Sequence, residues 1–291
     1  MHADDFEERL RELRPWLHRY CARMTGSTVD GEDVLQDTLI KALHARAEGT
    51  VVDHLEGWLL RIAHHTSLDF LRRRSRSHVV PLTDDMEDTP GPDTDIVTVG
   101  FQRFLQLPEL QRCAVILKDV LEHTIEEIAA IAGCTPAAAK SALQRGRAAL
   151  RRLAGQHDDM HMPLMPDAER RKLGNYVRLF QSGDFDAIRA LLAEDVKLDL
   201  VNRLRLEGRE SIGRYFSRYA EETKWRFVFG AIEGRPAMLV FDQTGSMERP
   251  AHFVLLEWHE ERIAAIRDFL FVPYVTDTAD WTRLPDVDRL A

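Results

Sequence analysis

Cysteine is scarce in this 291-residue chain, which has only Cys21, Cys113 and Cys134, far apart and odd in number. That excludes a disulfide framework and a cysteine-built zinc site, and it fits a reducing compartment. No apolar run approaches the roughly 20 residues of a membrane-spanning helix, so no membrane partner is expected. The first residues, Met1-His-Ala-Asp-Asp-Phe-Glu-Glu, are acidic and lack an apolar export segment, so a cytoplasmic location is expected. There is no glycine-rich ATP-binding loop, and no spacing marks a catalytic dyad, a nucleophile or a metal site. Neither a metal nor a cofactor is therefore expected. Positive charge is also in deficit: 39 Lys and Arg face 48 Asp and Glu, a net charge of −9. Taken alone, that argues against nucleic-acid binding, but distribution matters more than the sum. Residues 84–95 hold six acids and no base, and without them residues 1–156 pass from −4 to +2.

What is present is helical periodicity, interrupted twice. Phe6, Leu10, Leu13, Leu17, Tyr20 and Cys21 form one stripe of a helix over about 4–25. Asp30 is the expected N-cap of a helix over 31–46, buried through Val34, Leu35, Thr38, Leu39 and Leu43. After a loop at 47–54, a helix over 55–75 packs through Trp58, Leu59, Ile62, Leu68 and Leu71 and ends in Arg72-Arg73-Arg74-Ser-Arg76. The stretch 77–100 is rich in Asp, Thr, Pro and Gly and reads as an acidic linker.

Residues 124–150 carry the sharpest signal. Ile125, Ile128 and Ala129 give a short helix one apolar stripe, and Gly133 ends it where a left-handed residue costs least. Thr135 follows as an N-cap and Pro136 as the first residue of a second helix. Ala139, Leu143 and Leu150 bury one face of that helix, while Lys140, Ser141, Gln144, Arg145 and Arg147 occupy the other. Between 140 and 152 there are five cations and no acid. Gln and Arg can bond base edges and the remaining cations suit phosphates, so this reads as a DNA-binding helix-turn-helix. The plain alternative is a solvated helical hairpin.

With these elements placed, the order of motifs resembles extracytoplasmic-function (group 4) bacterial sigma factors. Gly31-Glu-Asp-Val-Leu-Gln-Asp-Thr-Leu-Ile-Lys-Ala-Leu is similar to the region-two helix that such proteins dock on core RNA polymerase. The resemblance makes Glu32, Asp33, Gln36 and Asp37 the polymerase-facing residues. Trp58-Leu-Leu-Arg-Ile-Ala-His-His-Thr-Ser-Leu-Asp-Phe-Leu-Arg-Arg-Arg resembles the helix that faces the −10 promoter element. On or beyond it, Arg61, His64, His65, Arg72, Arg73, Arg74 and Arg76 can track phosphates. Leu107-Pro-Glu-Leu-Gln-Arg opens a segment resembling region four, whose helix-turn-helix reads the −35 element. The resemblance also implies that the loop at 46–56, with Arg46, Asp53, His54 and Glu56, receives a base turned out of the −10 strand. Relatives commonly carry arginine at the place of Ala142, so its absence puts one −35 contact in doubt.

From 167 the pattern changes to α+β. Helices over 167–182, 184–193 and 209–222 accompany strands at 196–201, 225–232, 237–241, 252–258 and 263–272, an antiparallel sheet by expectation. Leu191-Leu-Ala-Glu-Asp-Val, Glu207-Gly-Arg-Glu-Ser-Ile-Gly-Arg-Tyr-Phe and Arg262-Ile-Ala-Ala-Ile-Arg-Asp-Phe resemble SnoaL-like domains, cone-shaped folds that enclose a pocket. In a subset of these sigma factors such a domain is held to regulate in cis. The glycine-rich motif of one subset is replaced here by Asp199-Leu-Val-Asn202. Asp199, Trp225, His252 and Asp268, with Glu257 and Tyr274 nearby, are the expected pocket residues for a small-molecule ligand, Asp199 being the candidate base if the domain is an enzyme. Fold alone confers no activity, and catalysis is not expected.

The chain thus divides into a helical module over 1–76, the linker, a helix-turn-helix module over 101–154, a second linker over 155–166, the α+β domain over 167–275 and a polar tail over 276–291. The expected function is that of an alternative sigma factor with core RNA polymerase and promoter DNA as partners. The competing reading is a helix-turn-helix regulator with a ligand-binding or enzymatic C-terminal domain.

Overall fold

The stripe from Phe6 to Cys21 is buried along its length and forms the inner face of α1 (Ala3–Thr25). The computed structural model describes residues 3–77, 100–154, 166–221, 224–245 and 247–285, so most of both linkers lies outside the described residues. The chain forms two units, Met1–Asp159 and Met160–Ala291.

In the first unit α2 (Thr28–Ala47) crosses α1 closely. A Cβ on Gly31 would stand 2.5 Å from Ala22 Cα, so only glycine fits this crossing. The helix begins earlier than Asp30. Ser27 is its N-cap, its Oγ accepting from Asp30 N–H at 3.1 Å, and Asp30 sits in the first turn, where its charge faces the positive end of the helix. Leu43, expected in the buried stripe, is 39% exposed. Helix α3 (Leu55–Ser77) completes the three-helix layer.

The second helical segment holds α4 (Phe101–Phe104), α5 (Glu109–Val115), a π-helical turn (Ile116–Val120), α6 (Ile125–Ala132) and α7 (Pro136–Ala154). The helix-turn-helix forms as its sequence predicts. Thr124 and Glu127 make a reciprocal capping box, Gly133 adopts φ +68°, and Thr135 Oγ1 accepts from Ala138 N–H at 3.2 Å.

The two helical segments share one hydrophobic core: Leu17, Tyr20 and Met24 of α1 pack in the same cluster as Phe104, Leu107, Cys113 and Leu117. Polar bonds sew the same seam. Arg112 donates to Met24 O at 2.7 Å and to Leu107 O at 2.9 Å, Arg19 to Val120 O at 2.7 Å, and Gln102 to Gly26 O at 2.8 Å.

The second unit opens with α8 (Asp167–Ser182) and α9 (Phe185–Ala190), followed by β1 (Leu192–Leu200), β2 (Leu204–Glu207) and α10 (Arg209–Glu221). Strands β3 (Trp225–Ile232), β4 (Arg235–Asp242), β5 (His252–His259) and β6 (Arg262–Asp268) follow, then α11 (Pro273–Thr278) and β7 (Trp281–Arg283). The sheet order is β2-β1-β6-β5-β4-β3-β7. It is mixed rather than antiparallel, because β1 and β6 pair in parallel. Strand direction depends on long-range pairing, which local alternation does not encode. The expected tail is partly structure: Trp281–Arg283 adds an edge strand to β3. The inner face of the sheet, with Leu198, Phe227, Phe229, Met238, Val240, Val254 and Ile266, packs against Tyr176, Phe180, Tyr215 and Phe216 of α8 and α10.

Gly31→Ala should lower stability by about 1–3 kcal/mol, because its methyl meets backbone. Gly57→Ala, with nothing near the added carbon, should be neutral or stabilise by up to about 1 kcal/mol. Urea denaturation followed by circular dichroism compares them, and equal effects would contradict the crossing.

Candidate nucleic-acid interface

Because Ala139, Leu143 and Leu150 anchor α7 to the core, Lys140, Gln144 and Arg145 point outward and are exposed. Ser141 is half-buried at the edge of this face, and its Oγ accepts from Arg145 Nη1 at 2.6 Å. Ala142, where relatives commonly carry arginine, is fully buried, so a long side chain at this position would meet the core. Arg147 departs from expectation. Its Nε donates to Asp119 Oδ2 at 2.9 Å while Nη2 bonds Oδ1, a bidentate pair that turns the guanidinium toward the π-helical turn.

On α3, Arg61, His65, Arg72, Arg73 and Arg74 are exposed, while Arg76 lies in the last turn of the helix. Arg74 pairs with Asp30 at 2.6 Å and Arg72 with Asp69 at 3.6 Å. His64 does not belong to this surface. It is buried, with Nδ1 2.8 Å from Tyr20 Oη, and burial pulls its pKa down to about 4, so it is a neutral core residue. One helical position separates it from exposed His65, a distinction the repeat His64-His65 conceals. In the last turn of α2, Arg46 donates to Thr50 O at 3.1 Å; in the loop that follows Val51 is 82% exposed, and Glu56, in the first turn of α3, pairs with Arg9 at 2.8 Å.

The expected polymerase-facing set also splits. Asp37 is exposed and Asp33 and Gln36 are half-buried, but Glu32 is fully buried, paired with Arg14 and accepting from Gln36 at 3.5 Å. Spaced three residues from both Val29 and Leu35, it lies on the buried stripe of α2, opposite Arg14 of α1. What the sequence reading missed on this face is apolar: Ile40 and Leu43 are exposed beside Asp37. A groove of about 650 Å³ lined by Asp37, Ile40, Lys41, Asp69, Arg72 and Arg73 separates the acidic end of this face from the cationic end of α3.

In the second unit, of the expected pocket residues, the structure brings together Trp225, His252 and Asp268 but not Asp199. Asp199 lies on the outer face of the sheet between its register partners Arg205 and Arg267, with nitrogen–oxygen distances of 3.4 and 3.9 Å. Glu257 is exposed, and Tyr274 sits on α11. Asp268 is fully buried. Its Oδ2 accepts from Tyr219 at 2.7 Å and Tyr215 at 2.9 Å, and its Oδ1 from Leu270 N–H at 3.0 Å. A tyrosine has one proton. Since Tyr219 gives its proton to Asp268, it accepts from His252 Nε2–H at 2.8 Å, which leaves Nδ1 bare and without a partner. Burial lowers the His252 pKa, and Trp225 packs edge-on at 5.0 Å. Tyr176, Tyr215 and Tyr219 were invisible to the sequence reading because α10 and α8 reach the sheet only in the fold. Both Asp268 oxygens are occupied by donors, an arrangement that fixes a carboxylate in place. Among the described residues no cluster suited to holding a metal ion occurs, and no helix is long and apolar enough to cross a membrane.

A helix-turn-helix beside a second cationic helix, followed by a separate α+β unit, defines a multidomain DNA-binding transcription protein. Residues 10–77 match sigma-70 region 2, residues 102–150 match sigma-70 region 4, and residues 173–269 match the SnoaL-like domain. The extracytoplasmic-function sigma factor SigM of Mycobacterium tuberculosis is 30% identical over 151 residues, covering 52% of this chain and 77% of SigM. SigG of the same organism is 26% identical over 301 residues, covering 91% of this chain and 81% of SigG. The crystal structure of SigJ from M. tuberculosis is similar at 18% identity and a TM-score of 0.36, over 92% of this chain and 95% of SigJ. The chain belongs to the extracytoplasmic-function sigma factors. It is an alternative sigma factor, which binds core RNA polymerase and promoter DNA to initiate transcription.

Burial holds the pKa values of both His18 and His64 at about 4, below the ordinary 6.5. As pH falls from about 6.5 to about 4, the unfolded chain takes up protons that the folded chain refuses, so stability is lost across that window. The slope is at most about 1.4 kcal/mol per pH unit for each histidine. His64→Gln should remove one histidine's share of that slope in denaturation measured at successive pH values, and an unchanged slope would mean His64 titrates normally.

Proposed function

We propose that this sigma factor reads the −35 element with Lys140, Ser141, Gln144 and Arg145 of α7, and the −10 element with Arg61, His65 and the arginines at the end of α3. Asp33, Gln36 and Asp37, extended by Ile40 and Leu43, form its polymerase-docking face. The carrying observation is that one folded unit turns two separate cationic helix faces outward, α3 and α7, each ordered by its own buried stripe. Protein of this kind works in the cytoplasm, where polymerase and promoter are.

The C-terminal unit acts in cis on the sigma modules and is not catalytic. Supporting this, the buried carboxylate of the cone, Asp268, already accepts from three donors, and Asp199 lies between two arginines on the outer face. A general base needs an oxygen available to its substrate.

Arg145→Ala should flatten the dependence of log affinity on log salt for promoter binding by about one unit, as expected for a lost phosphate contact. An unchanged slope would remove Arg145 from the interface. Regulation in cis is tested by in vitro transcription with core polymerase, comparing the full chain with chains ending at 284 and at 166. The first cut removes residues beyond β7 and the second removes the whole domain, whereas a cut at 276 would strip β7 from the sheet. Equal transcription from all three would sink the regulatory role.

A further inference from the structure

Arg147 and Gly146 are neighbours on α7, and one meets the π-helical turn that extends α5 while the other meets α5 itself. At Gly146 the helices touch: a Cβ there would stand 2.7 Å from Val115 Cγ2 and 3.0 Å from Gln111 O, so the backbone of α7 rests directly on α5. One residue on, Arg147 grips Asp119 with two parallel bonds. Asp119 belongs to the π-helical turn that extends α5, and such a turn carries an extra residue that rotates the following side chains around the axis. The pair is shielded, Asp119 being 14% and Arg147 35% exposed at the side chain, and the bond raises the arginine's pKa. A bidentate guanidinium–carboxylate pair fixes direction as well as distance.

We propose that Gly146 is the pivot and the Arg147–Asp119 pair the strut that sets the angle at which α7 enters the major groove. Arg147 is then a positioning residue rather than a phosphate contact, and Asp119 is a specificity determinant that touches no DNA. The lever arm shows why this matters. Lys140 lies about 9 Å along the axis from Gly146 at 1.5 Å per residue, so a tilt of roughly 6° displaces it by about 1 Å. A hydrogen bond to a base edge does not survive that displacement, whereas attraction to a phosphate mostly does. Loss of the strut should therefore cost sequence discrimination and spare non-specific binding.

The inference rests on the reading that α7 enters the groove, and the experiment separates the two. The full chain with core polymerase selects duplexes from a library randomised over the −35 region. Discrimination is then the affinity ratio between the selected duplex and a scrambled one. Asp119→Asn and Arg147→Gln should each lower that ratio about tenfold, the double variant no further, with the salt slope on the scrambled duplex unchanged. Arg147→Lys, which keeps the charge and gives up the fork, should fall with them. If Arg147→Gln instead lowers the slope by about one unit while Asp119→Asn changes nothing, Arg147 contacts a phosphate and the proposal is overturned. Equal losses of specific and non-specific binding overturn it too, since they report general destabilisation. Gln144→Ala is the reference. If it costs no discrimination the groove reading itself fails, and if it alone costs discrimination only the strut fails.

Discussion

A guanidinium removed from water must have its N–H groups met by acceptors, and Arg112 places this demand at the centre of the helical unit. It is 5% exposed, and burial lowers its pKa to about 10, so it keeps its charge at neutral pH. The carbonyls that receive it are those of Met24, at the C-terminal end of α1, and of Leu105 and Leu107, in the turn before α5. A helix C-terminus carries partial negative charge, so the Met24 carbonyl is a favoured acceptor for a cation. The joint between the two helical segments is therefore anchored by one buried cation, with Arg19, Gln102 and the shared apolar core beside it. Everything downstream inherits its position from that joint: α5 leaves it, Gly146 rests on α5, and α7 extends from there with Lys140, Gln144 and Arg145 facing outward.

Legibility from sequence followed the range of the interactions involved. The helix-turn-helix was readable to the residue, because a cap, a left-handed glycine and an N1 proline act within four positions of one another. The stripe on α1 was equally plain. Errors arose where a residue's fate depends on a partner far away in sequence. Glu32 has the composition of a surface acid, yet Arg14 draws it inside. His64 and His65 are the same residue type side by side, and only Tyr20, 44 positions away, decides which is buried. Arg147 looks like one more cation of a DNA-binding face until Asp119 is placed beside it. In the α+β unit the strands were mostly located, but the parallel pairing of β1 with β6 and the short strands β2 and β7 were not, since each depends on a neighbour rather than on its own alternation. The same applies to the candidate pocket. Asp199 and Asp268 both sit on strands, and the pleat sends one outward to Arg205 and Arg267 and the other inward to Tyr215 and Tyr219.

The inward placement of several cations bears on how an acidic chain handles a polyanion. With a net charge of −9, attraction to DNA cannot come from the whole molecule and must come from where cations are left facing solvent. The fold sorts them. Arg14, Arg112 and Arg147 are turned inward onto Glu32, onto backbone carbonyls and onto Asp119. Lys140 and Arg145 on α7, and Arg61, Arg72 and Arg73 on α3, stand exposed. Counterion release scales with the phosphates actually neutralised, so an inward-turned arginine contributes nothing to that term however basic the helix that carries it. Its contribution is geometric: it holds rigid the surface on which the remaining few cations act. On the proposed reading, affinity comes from a small set of outward charges and selectivity from the rigidity behind them.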